Sequence, residues 1–146
     1  EMCIRDSMRA EGIYPVVGEG YRTSSEQQRM LDDKIRTFEK KGYSEKRARA
    51  MAEEWVAVPG TSEHELGLAV DINADKDNSS NDEVYEWLYE NAYRYGFILR
   101  YPIGKTSVTG IDYEPWHYRY VGADYSEKIA ESGLCFEEWL EKNSVK

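Results

Sequence analysis

The chain has 146 residues, of which 40% are hydrophobic and 13% aromatic, and these values suit one domain with a hydrophobic core. Its formal net charge of -9 excludes the phosphate electrostatics that drive nucleic-acid binding and the polybasic surface of a membrane-surface binder. No apolar run approaches the roughly 20 residues of a membrane-spanning helix. We therefore expect one globular domain over residues 10–146.

The start of the chain carries no clear structural pattern. Residues 1–7 show no clear period and no signal-peptide character, and we expect residues 1–9 to be disordered or a non-native start. An export signal or anchor would then lie upstream of this chain. The two cysteines, Cys3 and Cys135, lack the spacing of metal ligands, and the sequence leaves open whether they form a disulfide.

The first half of the chain predicts one strand and two helices. Residues 13–17 form a short apolar run with an internal proline, which is typical of an edge strand. A capping box that starts at Ser24 or Ser25 predicts a helix with apolar residues at helical spacing, ending at Gly42. Ser44 can cap a second helix.

The second half predicts strands alternating with helices. In residues 68–73 the larger apolar side chains recur at every second position, which indicates a strand with Asp71 on its second face. The other predicted elements are a helix starting at Ser80, strands over residues 97–101 and 113–121, a helix starting at Ser126 and a final helical turn or two over residues 136–140. Helices early and strands later indicate an α+β fold with an antiparallel sheet.

The two histidines of the chain lie in segments that are crowded with acidic and aromatic residues. His64 lies in residues 62–71 (SEHELGLAVD), and His117 lies in residues 114–119 (EPWHYR). A catalytic zinc ion needs three protein ligands and one open position. With Asp71, these histidines could supply two imidazoles and a carboxylate.

The spacing does not decide which carboxylate would bind the metal. Glu63 and Glu65 flank His64 and compete with Asp71 for the ligand role on chemistry alone. The alternation of the predicted strand favours Asp71 only weakly. All three carboxylates therefore stay open as ligands at this point.

A metal-activated water also needs a general base close by. Glu114 is the candidate, because it lies three residues before His117. Pro115 favours an extended conformation at Glu114 and so helps to form a bend between base and ligand. The alternative is that Glu114 merely pairs with a cation such as Arg119.

At these residues the sequence resembles the zinc D-alanyl-D-alanine carboxypeptidases of the VanY type and the related L,D-carboxypeptidases of the LdcB type. That family is marked by Ser-x-His-x-x-Gly-x-Ala-x-Asp and Glu-x-Trp-His, which match residues 62–71 and 114–117. A third block over residues 20–23, with Gln27, is similar to the family's Gly-Tyr-Arg-Ser, although Thr23 replaces the commoner serine. The resemblance runs from about residue 10 to about residue 140.

The resemblance implies a small α+β domain of the Hedgehog and D,D-peptidase type, in which the antiparallel sheet carries one zinc ion between flanking helices. It also implies a role for each matching polar residue. These roles are zinc ligation by His64, Asp71 and His117, base catalysis by Glu114, binding of the oxyanion or substrate carboxylate by Arg22, and peptide contacts by Gln27 and Ser62.

The activity that the resemblance implies is removal of the terminal D-alanine from peptidoglycan stem peptides, as a D,D- or L,D-carboxypeptidase. Two alternatives stay open: an endopeptidase that cuts inside the stem peptide, and a non-catalytic zinc-binding module. The presence of both Arg22 and Glu114 argues against loss of catalysis. We expect a monomer in the extracytoplasmic cell envelope, exported or membrane-anchored, with no nucleic-acid partner.

Overall fold

The structure of the protein, a computed structural model, describes residues 2–144, so that Glu1, Val145 and Lys146 of the expected chain ends lie outside the described residues. Within this range the helices are α1 (Met2–Ala10), α2 (Ser24–Lys40), α3 (Glu45–Glu53), α4 (Asn81–Asn91), α5 (Thr106–Thr109), α6 (Ala123–Ser132) and α7 (Phe136–Asn143). The strands are β1 (Pro15–Glu19), β2 (Ala69–Ala74), β3 (Phe97–Leu99) and β4 (His117–Tyr120). Short 3-10 turns over Glu63–Leu66 and Ala92–Tyr95 precede β2 and β3. In residues 2–144 none of the helices has the length and apolar character that crossing a membrane requires.

The four strands form one sheet in the order β1-β2-β4-β3, and every neighbouring pair is antiparallel. This confirms the predicted α+β class, and β1 is an edge strand as expected. In the central pair β2–β4, Asp71 lies directly opposite His117. The sheet register therefore joins two segments that are 46 residues apart in the sequence.

The main core lies on the sheet face opposite to Asp71. Val70 and Ile72 of β2 and Tyr118 of β4 are buried there against Val84 and Leu88 of α4. This agrees with the apolar alternation of residues 68–73, because successive strand side chains point to opposite faces. A second, smaller core lies between α2 and α3.

Helix α1 differs from the expectation of a disordered start. Its residues Ile4 and Met8 are fully buried and belong to the main core. Two apolar residues four positions apart are enough to seal one face of a short helix, but they are too few to show a period. Cys3, on the same helix, is exposed, and both it and the buried Cys135 are free thiols, so the structure contains no disulfide between them.

The start of α2 also differs in detail from the prediction. Its N-cap is Thr23, not Ser24 or Ser25, because Thr23 and Glu26 form a reciprocal capping box. The cap therefore lies one or two residues earlier than predicted, and Arg22 comes directly before it.

The other differences concern element ends. The last two predicted strands are shorter, spanning residues 97–99 and 117–120, and α6 starts at Ala123 instead of at Ser126. Ser126 is fully buried, and its hydroxyl donates to the Tyr93 carbonyl at 2.6 Å. A buried hydroxyl inside a helix resembles an N-cap in sequence, because serine serves both purposes.

The contribution of α1 can be measured with two matched methionine substitutions. Met8→Ala should lower the free energy of unfolding by about 2–5 kcal/mol, because it leaves a cavity in the core. Met2→Ala, at a side chain that is 74% exposed, should change it by no more than about 0.5 kcal/mol. Urea unfolding followed by circular dichroism checks both values. Equal effects of the two substitutions would show that α1 does not pack on the core.

Candidate metal centre

One cleft contains every residue to which the sequence assigned a role. Its volume is about 200 Å³. The predicted residues that line it are Arg22, Gln27, Ser62, His64, Asp71, Glu114 and His117. They come from the loop before α2, from α2 itself, from the 3-10 turn, from β2, and from the start of β4 and the loop before it. The cleft therefore collects side chains from five separate places in the chain.

His64, Asp71 and His117, here called the metal group, present ligand atoms that converge in this cleft. The Asp71 Oδ1 atom lies 3.3 Å from His64 Nε2 and 3.1 Å from His117 Nδ1. The three ligand atoms all lie within 4.8 Å of one another. Tetrahedral ligands about 2.0–2.2 Å from a zinc ion are separated by roughly 3.4 Å. The donor set and its spacing therefore fit one zinc ion with a fourth position open to the cleft.

The backbone around His64 explains why a loop residue and a strand residue share this site. Gly67 ends the 3-10 turn with a left-handed φ of 67°, a conformation that glycine adopts without strain. The chain thereby turns back into β2, which brings Asp71 Oδ1 within 3.3 Å of His64 Nε2. The His64 Nδ1–H donates to the Gly20 carbonyl at 2.7 Å, which leaves Nε2 free for a metal.

The charges of the metal group suit the binding of a metal ion. Burial raises the pKa of Asp71, but hydrogen bonds from His117 and His64 outweigh it and lower that pKa to about 2. Burial lowers the pKa of His117, but the contacts with Asp71 and Glu63 outweigh it and raise that pKa to about 9. Without a metal, Asp71 is therefore a carboxylate at neutral pH and His117 holds a proton.

Glu114 lies beside the metal group. Its Oε2 atom is 3.8 Å from His117 Nδ1, and the residue is buried. Burial raises the pKa of Glu114 and the Asp71 charge adds to that rise, so that the pKa reaches about 7 although His117 lowers it. A carboxylate with this pKa can both take and return a proton at neutral pH. The alternative pairing with Arg119 is not formed, because Arg119 forms an ion pair with Glu63 at 2.8 Å instead.

Arg22 is buried in the wall of the cleft, although it directly precedes a helix on the protein surface. Its Nη2 donates to Glu19 at 2.9 Å, and its Nη1 donates to Gln27 Oε1 at 2.7 Å. Gln27 in turn donates from Nε2 to the Ala57 carbonyl at 2.7 Å. The amide of Gln27 therefore holds Arg22 and anchors it to the loop after α3.

Ser62 precedes the 3-10 turn that carries His64. It is buried, lines the cleft and makes no capping hydrogen bond with its side chain. Its hydroxyl is therefore available to a ligand in the cleft.

The carboxylates that competed with Asp71 do not join the metal group. Glu63 Oε1 accepts from Arg100 at 2.7 Å and forms an ion pair with Arg119 at 2.8 Å. Glu65 Oε2 accepts from the Gly60 amide at 2.9 Å. Asp71 is therefore the carboxylate of the group within residues 2–144.

Sequence reasoning missed the ion pairs around Glu63. Burial raises the pKa of Glu63, but the contacts with His117, Arg100 and Arg119 outweigh it and lower the pKa to about 2. Arg100 lies 37 residues away in the sequence. No local pattern signals such a pair, because the sheet alone brings the two residues together.

Comparisons of the sequence with known proteins agree on one family. A family model described as VanY, D-alanyl-D-alanine carboxypeptidase, matches residues 2–123. A D-alanyl-D-alanine carboxypeptidase of Enterococcus faecalis is 58% identical over 135 residues, which cover 92% of this chain and 50% of that relative. The chain therefore spans about half the length of this curated relative.

Two solved structures share the fold closely. VanYB in complex with D-alanine-D-alanine matches with a TM-score of 0.96 and 55% identity, covering 98% of this chain and 79% of that chain. A mutant of the vancomycin resistance D,D-pentapeptidase VanY, in complex with Zn(II), matches with a TM-score of 0.93 and 57% identity. It covers 95% of this chain and 78% of that chain.

The raised pKa of His117 makes metal binding depend on pH. Below about pH 9 a metal ion must displace the proton of His117, because only the neutral imidazole is a ligand. The affinity for zinc should therefore rise with pH by about tenfold per unit from pH 7 to 9, and should level off above it. Competition with a chelator, corrected for the chelator's own protonation, measures this. An affinity that is constant from pH 7 to 9 would contradict the assignment.

Proposed function

Because the chain belongs to the VanY family of D-alanyl-D-alanine carboxypeptidases, we propose that it is a zinc-dependent carboxypeptidase. Its substrate would be the stem peptide of peptidoglycan, from which it removes the terminal D-alanine. The observation that carries this proposal is the convergence of two histidines, an aspartate, a buried glutamate and a buried arginine in one cleft. Peptidoglycan lies outside the cytoplasmic membrane, so the protein would act in the cell envelope, exported or anchored.

His64, Asp71 and His117 would hold a single zinc ion. Bound there, zinc supplies Lewis-acid chemistry, since it acidifies water and polarises a carbonyl group. The donor set is the support for this choice of metal, because two imidazoles and one carboxylate with an open position are typical of catalytic zinc sites.

Glu114 would be the general base and then the general acid. Its carboxylate takes a proton from the attacking water as the new carbon–oxygen bond forms at the scissile carbonyl. It then gives that proton to the amine of the leaving D-alanine as the carbon–nitrogen bond breaks. In the metal-free protein burial raises the pKa of this carboxyl to about 7, and a pKa raised toward the working pH favours both steps.

Arg22 would bind negative charge in the cleft, either the terminal carboxylate of the peptide or the oxyanion that develops on the scissile carbonyl. A guanidinium stays charged at all relevant pH values and offers a planar pair of donors for either anion. Gln27 would contribute by holding Arg22, and Ser62 would contact the peptide with its free hydroxyl.

Removal of the last residue suits this cleft better than cleavage inside the peptide. A volume of about 200 Å³ is below the roughly 300–1,000 Å³ of pockets for drug-sized ligands. It therefore suits the end of a chain. A non-catalytic zinc module is less well supported, because Glu114 and Arg22 both line the cleft that contains the metal group.

Mass spectrometry of defined stem peptides tests the proposed reaction. The zinc-loaded protein should shorten a pentapeptide stem by one alanine, and His64→Ala, which removes a ligand, should not. Shortening of a tetrapeptide stem would show an L,D-carboxypeptidase activity. Release of internal fragments would show an endopeptidase instead. Intact peptides with fully zinc-loaded protein would overturn the proposal in favour of a non-catalytic module.

Glu114→Gln tests the role of the base separately from the metal. The substitution should lower turnover by about 100-fold to 10,000-fold and leave zinc content unchanged, because the amide cannot carry the proton. Steady-state hydrolysis of the stem peptide and metal analysis measure the two effects. Glu65→Gln is a matched control, since Glu65 does not line the cleft and should leave turnover near the parent value. Turnover of Glu114→Gln within tenfold of the parent would exclude Glu114 as the base.

A further inference from the structure

We propose that Glu63 is a positioning residue that orients His117 toward the metal, and that helix α7 holds Glu63 in place through Arg100. This inference rests on the proposed function only in that His64, Asp71 and His117 bind zinc. It adds a chain of contacts that starts at the metal group and ends in a helix outside the 2–123 range of the family model.

The first observation is a pair of buried polar atoms that face each other. His117 Nε2 and Glu63 Oε2 are both buried, and neither has a hydrogen-bond partner among the described residues. They lie 3.7 Å apart, roughly 0.8 Å more than an ordinary hydrogen bond of about 2.9 Å. Buried polar atoms without a hydrogen-bond partner are rare. A small movement of either side chain would bring these two atoms within hydrogen-bond distance and give each a partner.

The second observation is which nitrogen of His117 faces the metal group. Nδ1 lies beside Asp71 at 3.1 Å, while Nε2 points away toward Glu63. A neutral imidazole has one N–H, so ligation through Nδ1 puts that hydrogen on Nε2. The residue that faces it is Glu63, whose carboxylate can accept the hydrogen and fix the ring orientation.

His64 shows the same design with the nitrogens exchanged. Its Nδ1–H donates to the Gly20 carbonyl at 2.7 Å, and its Nε2 faces Asp71. Each ligand histidine therefore has one nitrogen toward the metal group and the other toward an acceptor of the protein. In this scheme Glu63 does for His117 what the Gly20 carbonyl does for His64.

Two guanidinium groups contact one carboxylate oxygen of Glu63 and leave the oxygen that faces His117 free. Arg100 Nε donates to Oε1 of Glu63 at 2.7 Å, and Arg119 Nη1 forms an ion pair with the same oxygen at 2.8 Å. Oε2 takes no part in these bonds and is the atom that faces His117. The carboxylate is therefore held along one edge, with its other oxygen directed at the imidazole.

Helix α7 completes the chain of contacts. The remaining nitrogens of Arg100, Nη1 and Nη2, donate to the two carboxylate oxygens of Glu137 at 3.0 and 2.6 Å. Such a bidentate pair fixes the plane of the guanidinium. Glu137 lies in the first turn of α7, so the position of this helix sets the position of Arg100 and, through it, of Glu63.

A merely structural role for these ion pairs would act on folding and not on the metal. Two substitutions and one control separate the roles. Glu63→Gln removes the charged acceptor for His117. Glu137→Gln removes the charge of the bidentate pair between α7 and Arg100. Glu138→Gln is the matched control, because Glu138 is the next residue of α7 and pairs with Lys105 at 2.8 Å, away from the cleft. It also caps α7 by accepting from the Cys135 amide at 2.9 Å.

The experiment uses the full chain and has two readouts besides activity. Zinc dissociation constants come from chelator competition, and the visible spectrum of the cobalt-substituted protein reports the ligand geometry. Thermal unfolding of the metal-free variants measures general stability alongside. We expect zinc affinity to fall by about 10-fold to 100-fold in Glu63→Gln and by about 2-fold to 30-fold in Glu137→Gln, with altered cobalt spectra. Glu138→Gln should keep the parent affinity and spectrum.

Each other result overturns a stated part of the inference. If Glu63→Gln binds zinc within about twofold of the parent, Glu63 is not a positioning residue, while the proposed metal site stands. Should Glu63→Gln fail to fold, Glu137→Gln carries the test, since its carboxylate is partly exposed. Equal losses in Glu137→Gln and Glu138→Gln would show that α7 acts through stability alone. Failure of the parent protein to bind zinc would overturn both this inference and the proposed function.

Discussion

The pairing of Asp71 with His117 across β2 and β4 is the contact on which the rest of the site depends. Antiparallel register places these residues opposite each other, so their side chains leave the sheet on the same face. A slip of one residue would turn Asp71 to the other face and empty the site. His64 joins the pair from the preceding turn, because Gly67 reverses the chain just before β2.

The core on the other face of the sheet protects this register. Val70 and Tyr118 are buried directly behind the pair, and a slip would expose both to water. The precision of the site therefore comes from hydrophobic burial on one face, while the chemistry stays on the other. This division explains how a domain of 146 residues can hold several buried charges without losing its fold.

The buried charges of the cleft fall into two groups. Asp71, Glu63 and Arg22 each have close partners of opposite charge or strong hydrogen bonds, which offset the cost of removing them from water. Among the described residues Glu114 has no comparable partner, so burial, together with the Asp71 charge, raises its pKa to about 7. A strongly perturbed carboxyl in a cleft is typical of a catalytic group, and here the perturbation follows from incomplete compensation of its charge.

The sequence by itself determined the elements with clear periodicity and the residues that line the cleft. Its motifs are local, since residues 62–71 and residues 114–117 are each a short continuous segment. The chemistry of the side chains left Asp71 and Glu63 open, and the family resemblance favoured Asp71. The tertiary structure supplies the physical reason, because the partners of Glu63 lie far along the chain and meet it only through the sheet. Tertiary structure also decided the role of helix α1. Its two core residues show no period in the sequence, and they are recognised as core residues only by their packing against the rest of the main core.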